Sequence, residues 1–298
     1  MHIKNRRNAV FCVFQEALCL CHELDIDETK RGPKPQYPDS FIIALLIIKN
    51  LLSINSESAF LRHLEKNYGD FFEQLPEQSW FNRKARKLAP LCDEVARGLT
   101  QGLDLGDIRI PDSTPIPVVK RYRGSTSAIF PKGKDFNYGY CASKKEYYYG
   151  VKLTLCTNES GIPVAYDFCR ANKHDLKALE AMLPDIETRG ITMIADKGYY
   201  DGELRATLKS QNSKLVVPDK KRHHVFNTKE DTELLKKRSI VETVIEQLKS
   251  QMRIHEHLAQ SLEGLTIRIA SAIMSFVFSI YYNLKEGRSP LAVKSILM

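Results

Sequence analysis

Three acidic residues, Asp112, Asp196 and Glu242, are the side chains best placed by type and spacing to do chemistry. Each aspartate directly follows a short apolar, β-rich run, which predicts that it lies at the end of a strand. Glu242 lies within an apolar pattern typical of a helix. Two carboxylates at strand ends and one on a helix can converge on a pair of hard cations, the arrangement used for phosphodiester cleavage.

Two basic residues accompany the glutamate: Arg238 lies four residues before it and Lys249 seven after it. At about 100° per residue all three fall on one stripe of a helix. This predicts that Arg238 and Lys249 contact DNA phosphates beside the metals. A solvated charged face is the alternative, and Glu246, one turn further on, is a rival metal ligand.

The two aspartates also fit simpler roles. Asp112 begins an Asp-Ser-Thr-Pro sequence and Asp196 precedes Gly198, so either could belong to an ordinary turn. If they are catalytic, two Mg²⁺ ions are expected, because Mg²⁺ prefers oxygen ligands; Mn²⁺ would serve as well. Such chemistry proceeds without a covalent protein intermediate, so no Ser, Cys or Tyr nucleophile is predicted.

The charge pattern favours a polyanionic partner. The chain has 298 residues and a net charge of +8, and residues 1–106 hold 14 basic and 14 acidic side chains, so the whole excess lies beyond them. A basic chain most often binds nucleic acid, although a basic surface that only keeps the protein soluble is the alternative.

The cysteines and the apolar pattern indicate the cellular compartment in which the protein is expected. The seven cysteines are odd in number and widely scattered, which favours reduced thiols in the cytoplasm over a disulfide framework or a zinc site. No signal peptide is recognisable at the N-terminus. The longest apolar run, 269–282, is too short to span a bilayer and is interpreted as a buried helix, so no membrane association is expected.

The elements that must position these residues divide at about residue 106. Residues 1–106 are predicted to be an all-helical, helix-turn-helix-like DNA-binding domain whose last helix is basic. A solvated face of a helical bundle is the alternative interpretation of that helix. The proposed phosphate contacts on it are Arg83, Lys84, Arg86 and Lys87.

Residues 107–298 are predicted to form a mixed sheet with helices on its faces and C-terminal helices beyond it. Residues 113–148 read as irregular and basic, and a single long helix from about residue 232 carries Glu242. Further candidate DNA contacts are Lys144, Lys145, Lys152 and the basic loop 220–224. Tyrosines are plentiful between 138 and 149, and some could stack on exposed bases.

At this point a resemblance to a known family emerges. The spacing of Arg238, Glu242 and Lys249 resembles the C-terminal signature of DDE transposases from bacterial insertion sequences, with Leu235 where that family usually has a tyrosine. Other segments resemble the insertion-sequence 982 family: Leu75 to Arg83, Ala142 to Leu153, Ala195 to Tyr199 and Val241 to Thr243.

The resemblance implies an α+β fold with an RNase H-like core, a mixed five-stranded sheet flanked by helices, and two divalent metals held by Asp112, Asp196 and Glu242. It implies a transposase that cleaves double-stranded DNA at insertion-sequence ends and joins it to target DNA. It further implies recognition of terminal inverted repeats by the N-terminal helices, a homo-oligomer on DNA, and a location at the bacterial nucleoid within the cytoplasm.

Two other functions remain open at this stage. A host structure-specific nuclease on the same fold would cut DNA without joining it to a target. A transposase-derived DNA-binding protein that has lost activity would do neither, although the intact set of acids argues against it.

Overall fold

The structure is a computed structural model. It describes residues 2–26, 35–72, 74–133, 135–142, 144–219 and 226–297, without the side chains of residues 2–6. The predicted basic loop 220–224 lies outside the described residues.

Helices dominate both ends of the described chain, and strands occupy its middle. The helices are α1 (His2–Glu23), α2 (Asp39–Leu51), α3 (Glu57–Tyr68), α4 (Gln78–Arg86), α5 (Ala89–Gln101), α6 (Asp175–Met182), α7 (Gly202–Ser210), α8 (Lys229–Lys236), α9 (Ser239–Ser250) and α10 (Leu262–Lys285). The strands are β1 (Ile108–Val119), β2 (Asn137–Cys141), β3 (Glu146–Thr157), β4 (Pro163–Arg170), β5 (Thr192–Ile194) and β6 (Lys214–Val216).

The chain divides into two compact units. The first comprises Met1–Leu103 and Gln247–Met298, and the second comprises Asp104–Glu246. The first unit is helical throughout its described residues. The sequence-based division kept the C-terminal helices with the strands, whereas α10 packs on α2 and α5. The physical reason is that α2 and α10 are apolar nearly all round, so each must be covered by other helices.

Helix α10 is the predicted buried helix, and it is longer than the apolar run suggested. By length and composition it could cross a membrane, but most of its apolar stretch is buried inside the protein, as in the core helix of a globular fold. Two of its serines donate hydrogen bonds to backbone carbonyls of the same helix: Ser275 donates to the carbonyl of Ser271, and Ser279 donates to the carbonyl of Ser275. The polar residues of the run therefore cost little inside the core.

The second unit is built on a mixed sheet with flanking helices. Its order is β2-β3-β1-β5-β6, with β4 also paired to β3. Strand β3 pairs antiparallel with β1 along one edge. Along its other edge it pairs antiparallel first with β2 and then with β4. Strand β5 runs parallel to both β1 and β6. The predicted mixed sheet is present, with six strands in the described residues instead of five.

Strand β1 differs from the prediction. Asp112 does not end a strand but lies inside β1, which continues to Val119 through a stretch predicted to be irregular. The strand continues through the prolines at 111, 115 and 117, because a proline is tolerated where its nitrogen faces away from the ladder. Positions 110–119 pair with β3 alone, while pairing with β5 stops at Arg109. The two aspartates therefore flank the point where β1 and β5 part.

The helix that carries Glu242 is also different from the prediction. A single long helix was expected, but α8 ends at Lys236 and α9 begins at Ser239. Arg238 lies in the break, so it does not share a helical stripe with Glu242 and Lys249. Helix α8 starts with a capping box in which Thr228 and Asp231 exchange hydrogen bonds, and Asp231 forms an ion pair with Lys214 at the start of β6.

Candidate active site

Three remote segments of the second unit deliver the three acids. Asp112 lies within β1, Asp196 follows β5 by two residues, and Glu242 lies in the first turn of α9. Asp112 is half-buried, whereas the other two are exposed. The chain approaches Glu242 through the break between α8 and α9, where Lys237 forms an ion pair with Glu159 from the β3–β4 loop.

Arg238 connects two of the acids directly. Its Nη1 donates to Oδ1 of Asp196 at 2.8 Å, and its Nη2 donates to Oε1 of Glu242 at 3.3 Å. Because both nitrogens belong to one rigid guanidinium, these carboxylate oxygens are no more than roughly 8 to 9 Å apart. Carboxyl groups 46 positions apart in the sequence thus share one cation.

Asp112 lies within the electrostatic reach of the same group. Burial raises the pKa of its carboxyl to about 6; the N–H of Ser113, donating at 2.8 Å, and the charge of Arg238 act in the opposite direction, while Glu242 and Asp175 raise it further. A carboxylate that is partly desolvated and close to other acids costs free energy unless a cation neutralises it. Asp112 therefore favours a position beside a bound positive charge.

Hydrogen-bonded hydroxyl groups connect the segments that carry the two aspartates. The hydroxyl of Ser113 lies 3.0 Å from that of Thr154 on β3 and 2.9 Å from that of Tyr199. Tyr199 is buried and follows Asp196 by three residues, in a short 3₁₀ helix. The strand that carries Asp112 and the loop that carries Asp196 are therefore linked by hydrogen bonds.

Sequence reasoning missed a fourth carboxylate near Asp112. Asp175 begins α6, whose capping side chain is that of the preceding residue, His174. Asp175 instead forms an ion pair with Lys152 at 2.7 Å, and Lys152 also donates to the carbonyl of Lys173. Lys152 had been considered as a DNA contact. Neither pairing has a local sequence signal, because the partners come from β3 and the loop before α6.

The acids fit a divalent metal in donor type. An all-carboxylate set suits Mg²⁺ or Mn²⁺ better than Zn²⁺. Within the described ranges, no three His, Cys, Asp or Glu side chains are grouped closely enough to hold a metal ion as they stand. The guanidinium of Arg238 instead lies between Asp196 and Glu242. The residues therefore fit a divalent metal in donor type, while a protein cation contacts two of them in this structure.

The predicted basic residues of α4 are not equivalent. Arg83, Arg86 and Lys87 are exposed. Lys84 is instead held in an ion pair with the buried Asp39 at the start of α2. In the helical unit, therefore, Lys84 acts as an internal counter-ion.

The remaining predicted contacts lie in a turn and on a helix. Lys144 and Lys145 are exposed in the turn between β2 and β3, and Lys249 is half-buried near the end of α9. Lys145 adopts a left-handed backbone conformation, with φ of 52°. None of these assignments to DNA is tested by the fold, and they stay predictions.

Comparison with known proteins identifies the family. The profile described as "Transposase DDE domain" matches residues 104–278. Among solved structures, one described as "Cryo-EM structure of piggyBac transposase synaptic complex with hairpin DNA (SNHP)" is similar in fold, with a TM-score of 0.51 and 12% identity over 98% of this chain and 77% of that chain. No curated protein matches significantly. Since the matched region spans more than half of the chain and contains all three acids, the chain belongs to the transposase DDE domain family.

Proposed function

We propose that this protein is a DNA transposase that cleaves phosphodiester bonds at insertion-sequence ends and joins the freed ends to target DNA. One observation carries the proposal: Asp196 and Glu242, from separate elements, share Arg238, whose charge also acts on the half-buried Asp112. All of these residues lie inside the matched DDE domain.

Asp112, Asp196 and Glu242 would hold two Mg²⁺ or Mn²⁺ ions. When bound, such ions stabilise the attacking and leaving oxygens of an in-line displacement at phosphorus. Among these three residues Asp112 is the most buried, and the charges of Arg238 and Glu242 both act on its carboxyl. Ser113, Thr154 and Tyr199 would keep Asp112 and Asp196 in register through their hydroxyl chain.

Arg238 would change partners during the cycle. Without DNA its guanidinium neutralises Asp196 and Glu242. Once other cations neutralise these carboxylates, the planar guanidinium can turn to a DNA phosphate, which it suits by charge and geometry. The predicted DNA contact and the observed ion pairs would then be two states of one side chain.

The sheet supports an RNase H-like core. Following β4, β3, β1, β5 and β6, the pairings are antiparallel, antiparallel, parallel and parallel, with the first acid on the central strand. The helices of residues 1–106 would then be the DNA-binding part. Membership of the insertion-sequence 982 family and a homo-oligomer on DNA are part of the same proposal, resting on the motifs quoted above.

A strand-transfer assay with the flanking ends of the element, Mg²⁺ and a target plasmid tests the function. Joined products are expected from the wild type, and Asp112→Asn, Asp196→Asn and Glu242→Gln should abolish cleavage while DNA binding survives. Cleavage without joining would instead support a host nuclease. A shifted but uncut band would support an inactive DNA-binding protein. Near-normal cleavage by Asp112→Asn would refute the site.

A further inference from the structure

The hairpin of β2 and β3 carries an uncovered pair of tyrosines. Tyr140 and Tyr147 face each other across the two strands, with ring centroids 5.0 Å apart. Their exposed fractions are 54% and 58%, large values for aromatic side chains in a sheet. A cross-strand aromatic pair stabilises a hairpin even when exposed. The surroundings of this pair, however, indicate a further role.

The neighbouring pair on the same face is covered. Two residues further along each strand, Tyr138 and Tyr149 pack against the 3₁₀ helix Arg121–Thr126. Tyr138 accepts the N–H of Ser125 and donates to the carbonyl of Arg121. The approach is close, since a Cβ on Gly124 would lie 2.5 Å from the Tyr149 ring. The hairpin and the 3₁₀ helix thus form one firmly packed platform, which ends just before Tyr140 and Tyr147.

The platform is strongly basic. Residues 120–147 contain seven lysines and arginines and two acidic residues. The basic residues described here are all exposed: Lys120, Arg121, Arg123, Lys132, Lys144 and Lys145. Tyr122 is 69% exposed and lies beneath the guanidinium of Arg123, 5.8 Å from its ring centroid. Exposed rings interleaved with cations are the combination that binds single-stranded nucleic acid.

We propose that this surface binds an unpaired stretch of a DNA strand, with one or two bases stacked on Tyr140 and Tyr147. The inference rests on the proposed function, which supplies DNA as substrate. A second copy of this chain is disfavoured as occupant because the chain itself carries a net charge of +8. Duplex DNA hides its base faces, whereas an unpaired base offers one to a ring.

The position of the surface indicates which part of the DNA it holds. Asp112 lies opposite Leu155 on β3, eight residues from Tyr147 and on the same face. Eight residues of strand span roughly 26 Å. At about 3.4 Å per base step, this is roughly eight duplex base pairs from the catalytic acids. A strand bound here would therefore lie roughly eight base steps from the reacting phosphate, as a flanking strand or an opened target could.

Fluorescence quenching tests the stacking directly. The full-length protein is titrated in EDTA, so that no cleavage occurs, with a short duplex bearing 2-aminopurine in a single-stranded overhang, and with a blunt duplex of the same length. Stacking should quench the probe, and the overhang should bind more tightly. Replacing both rings (Tyr140→Leu, Tyr147→Leu) should remove the quenching and weaken overhang binding by about 10- to 100-fold. The matched Tyr140→Phe, Tyr147→Phe variant, which keeps both rings, should behave like the wild type.

Two further variants separate charge from stacking. Lys144→Ala with Lys145→Ala should weaken both DNAs alike, while Lys209→Ala, an exposed lysine on α7, should weaken neither. Unchanged quenching and affinity in the double leucine variant would overturn the proposal. So would a double leucine variant that loses only self-association, measured by sedimentation, since the surface would then join copies of the chain.

The quenching and affinity measurements do not depend on whether the protein is catalytically active. If the wild type neither cleaves nor joins element ends while the double leucine variant loses the preference for the overhang, this result supports the binding surface and refutes the transposase proposal. If the wild type joins ends and the double leucine variant binds DNA as the wild type does, only the proposal of the binding surface is refuted.

Discussion

Arg238 neutralises two acids with one side chain, and this has a measurable consequence for metal binding. Replacing it with alanine leaves Asp196 and Glu242 without that cation and removes a competitor for their oxygens. We expect Arg238→Ala to lower the melting temperature in EDTA and to tighten Mn²⁺ binding by about fivefold, equivalent to roughly 1 kcal/mol.

Calorimetric titration of the DNA-free protein with Mn²⁺ measures this effect. Arg238→Lys, which keeps the charge but not the planar fork, should lie between the alanine variant and the wild type. Equal Mn²⁺ affinity in all three proteins would show that the guanidinium does not compete with metal.

Tyr199 makes a second prediction at the scale of single residues. Tyr199→Phe removes the hydroxyl that meets Ser113 and leaves the buried ring in place. The loss of one buried hydrogen bond should cost about 1 kcal/mol of stability. Because the two aspartates then lose part of their register, cleavage should slow by roughly tenfold and require more Mg²⁺.

Melting curves and cleavage rates across a Mg²⁺ series provide the measurement. Tyr281→Phe, the same chemical change in the helical unit, serves as the control. A variant that loses stability but keeps the wild-type Mg²⁺ dependence would limit the role of Tyr199 to packing.

The three acids were predicted from sequence as the candidate site, whereas their side-chain partners were not. The acids stand out because each follows or interrupts an apolar run. Arg238 was identified as a residue near DNA, whereas its ion pair with Asp196 joins positions 42 residues apart. Asp175 was missed for the same reason, since its partner Lys152 lies on β3. Side-chain pairings between distant segments depend on the fold, and local patterns do not encode them.

At the scale of elements, α2 offers a pH-dependent prediction. Lys49 is only 2% exposed in this apolar helix, and burial lowers its pKa from 10.5 to about 7; the nearby Arg268 lowers it further and Glu57 opposes the shift. Between about pH 7 and 10.5 the unfolded chain holds the proton that the folded chain has lost, so stability should rise with pH across this window. Below pH 7 the full cost of burying the charge remains.

Lys49→Met should remove that cost. We expect the free energy of unfolding to rise by about 1 to 4 kcal/mol at pH 6, because the buried charge is removed while Glu57 keeps its 2.7 Å ion pair with Arg268. The gain should shrink towards pH 10, because the folded wild type has by then lost that charge. Urea unfolding from pH 6 to 10 tests this, with the exposed Lys209→Met as control. A variant that is less stable than the wild type at pH 6 would show that the ammonium group has a stabilising partner.

Helix and strand positions followed from periodicity wherever the burial pattern was regular. The mixed sheet and the buried helix of the apolar run 269–282 were predicted in this way, and both are present. Strand β1 was cut short because its Asp-Ser-Thr-Pro sequence also fits a turn, whereas the strand continues through it to Val119. The break before α9 escaped notice because Lys237 and Arg238 are good helix formers, and ion pairs to Glu159 and Asp196 hold them in the turn.

For the whole molecule, the net charge of +8 predicts salt-dependent DNA binding. Each lysine that contacts a phosphate should contribute about one unit to the slope of log affinity against log salt. Lys144→Ala and Lys87→Ala should each reduce the slope by about one. Lys84→Ala should leave it unchanged and instead destabilise the protein, because the buried Asp39 loses its partner.

Fluorescence anisotropy with a duplex at several salt concentrations measures these slopes. A reduced slope for Lys84→Ala at unchanged stability would place that side chain on the DNA. The division of the chain into two compact units was less predictable than its charge. Helix α10 follows the strands in sequence, yet it packs with α2 and α5, and an apolar helix alone does not reveal which neighbours cover it.

The prolines of β1 have one more consequence. Along the edge that faces away from β3, Pro111, Pro115 and Pro117 have no N–H, and the N–H of Ser113 is held by its own neighbour, Asp112. An incoming peptide therefore finds no donor there with which to extend the sheet. The edge of β1 beside Asp112 thus resists pairing with a stray strand from this or another molecule.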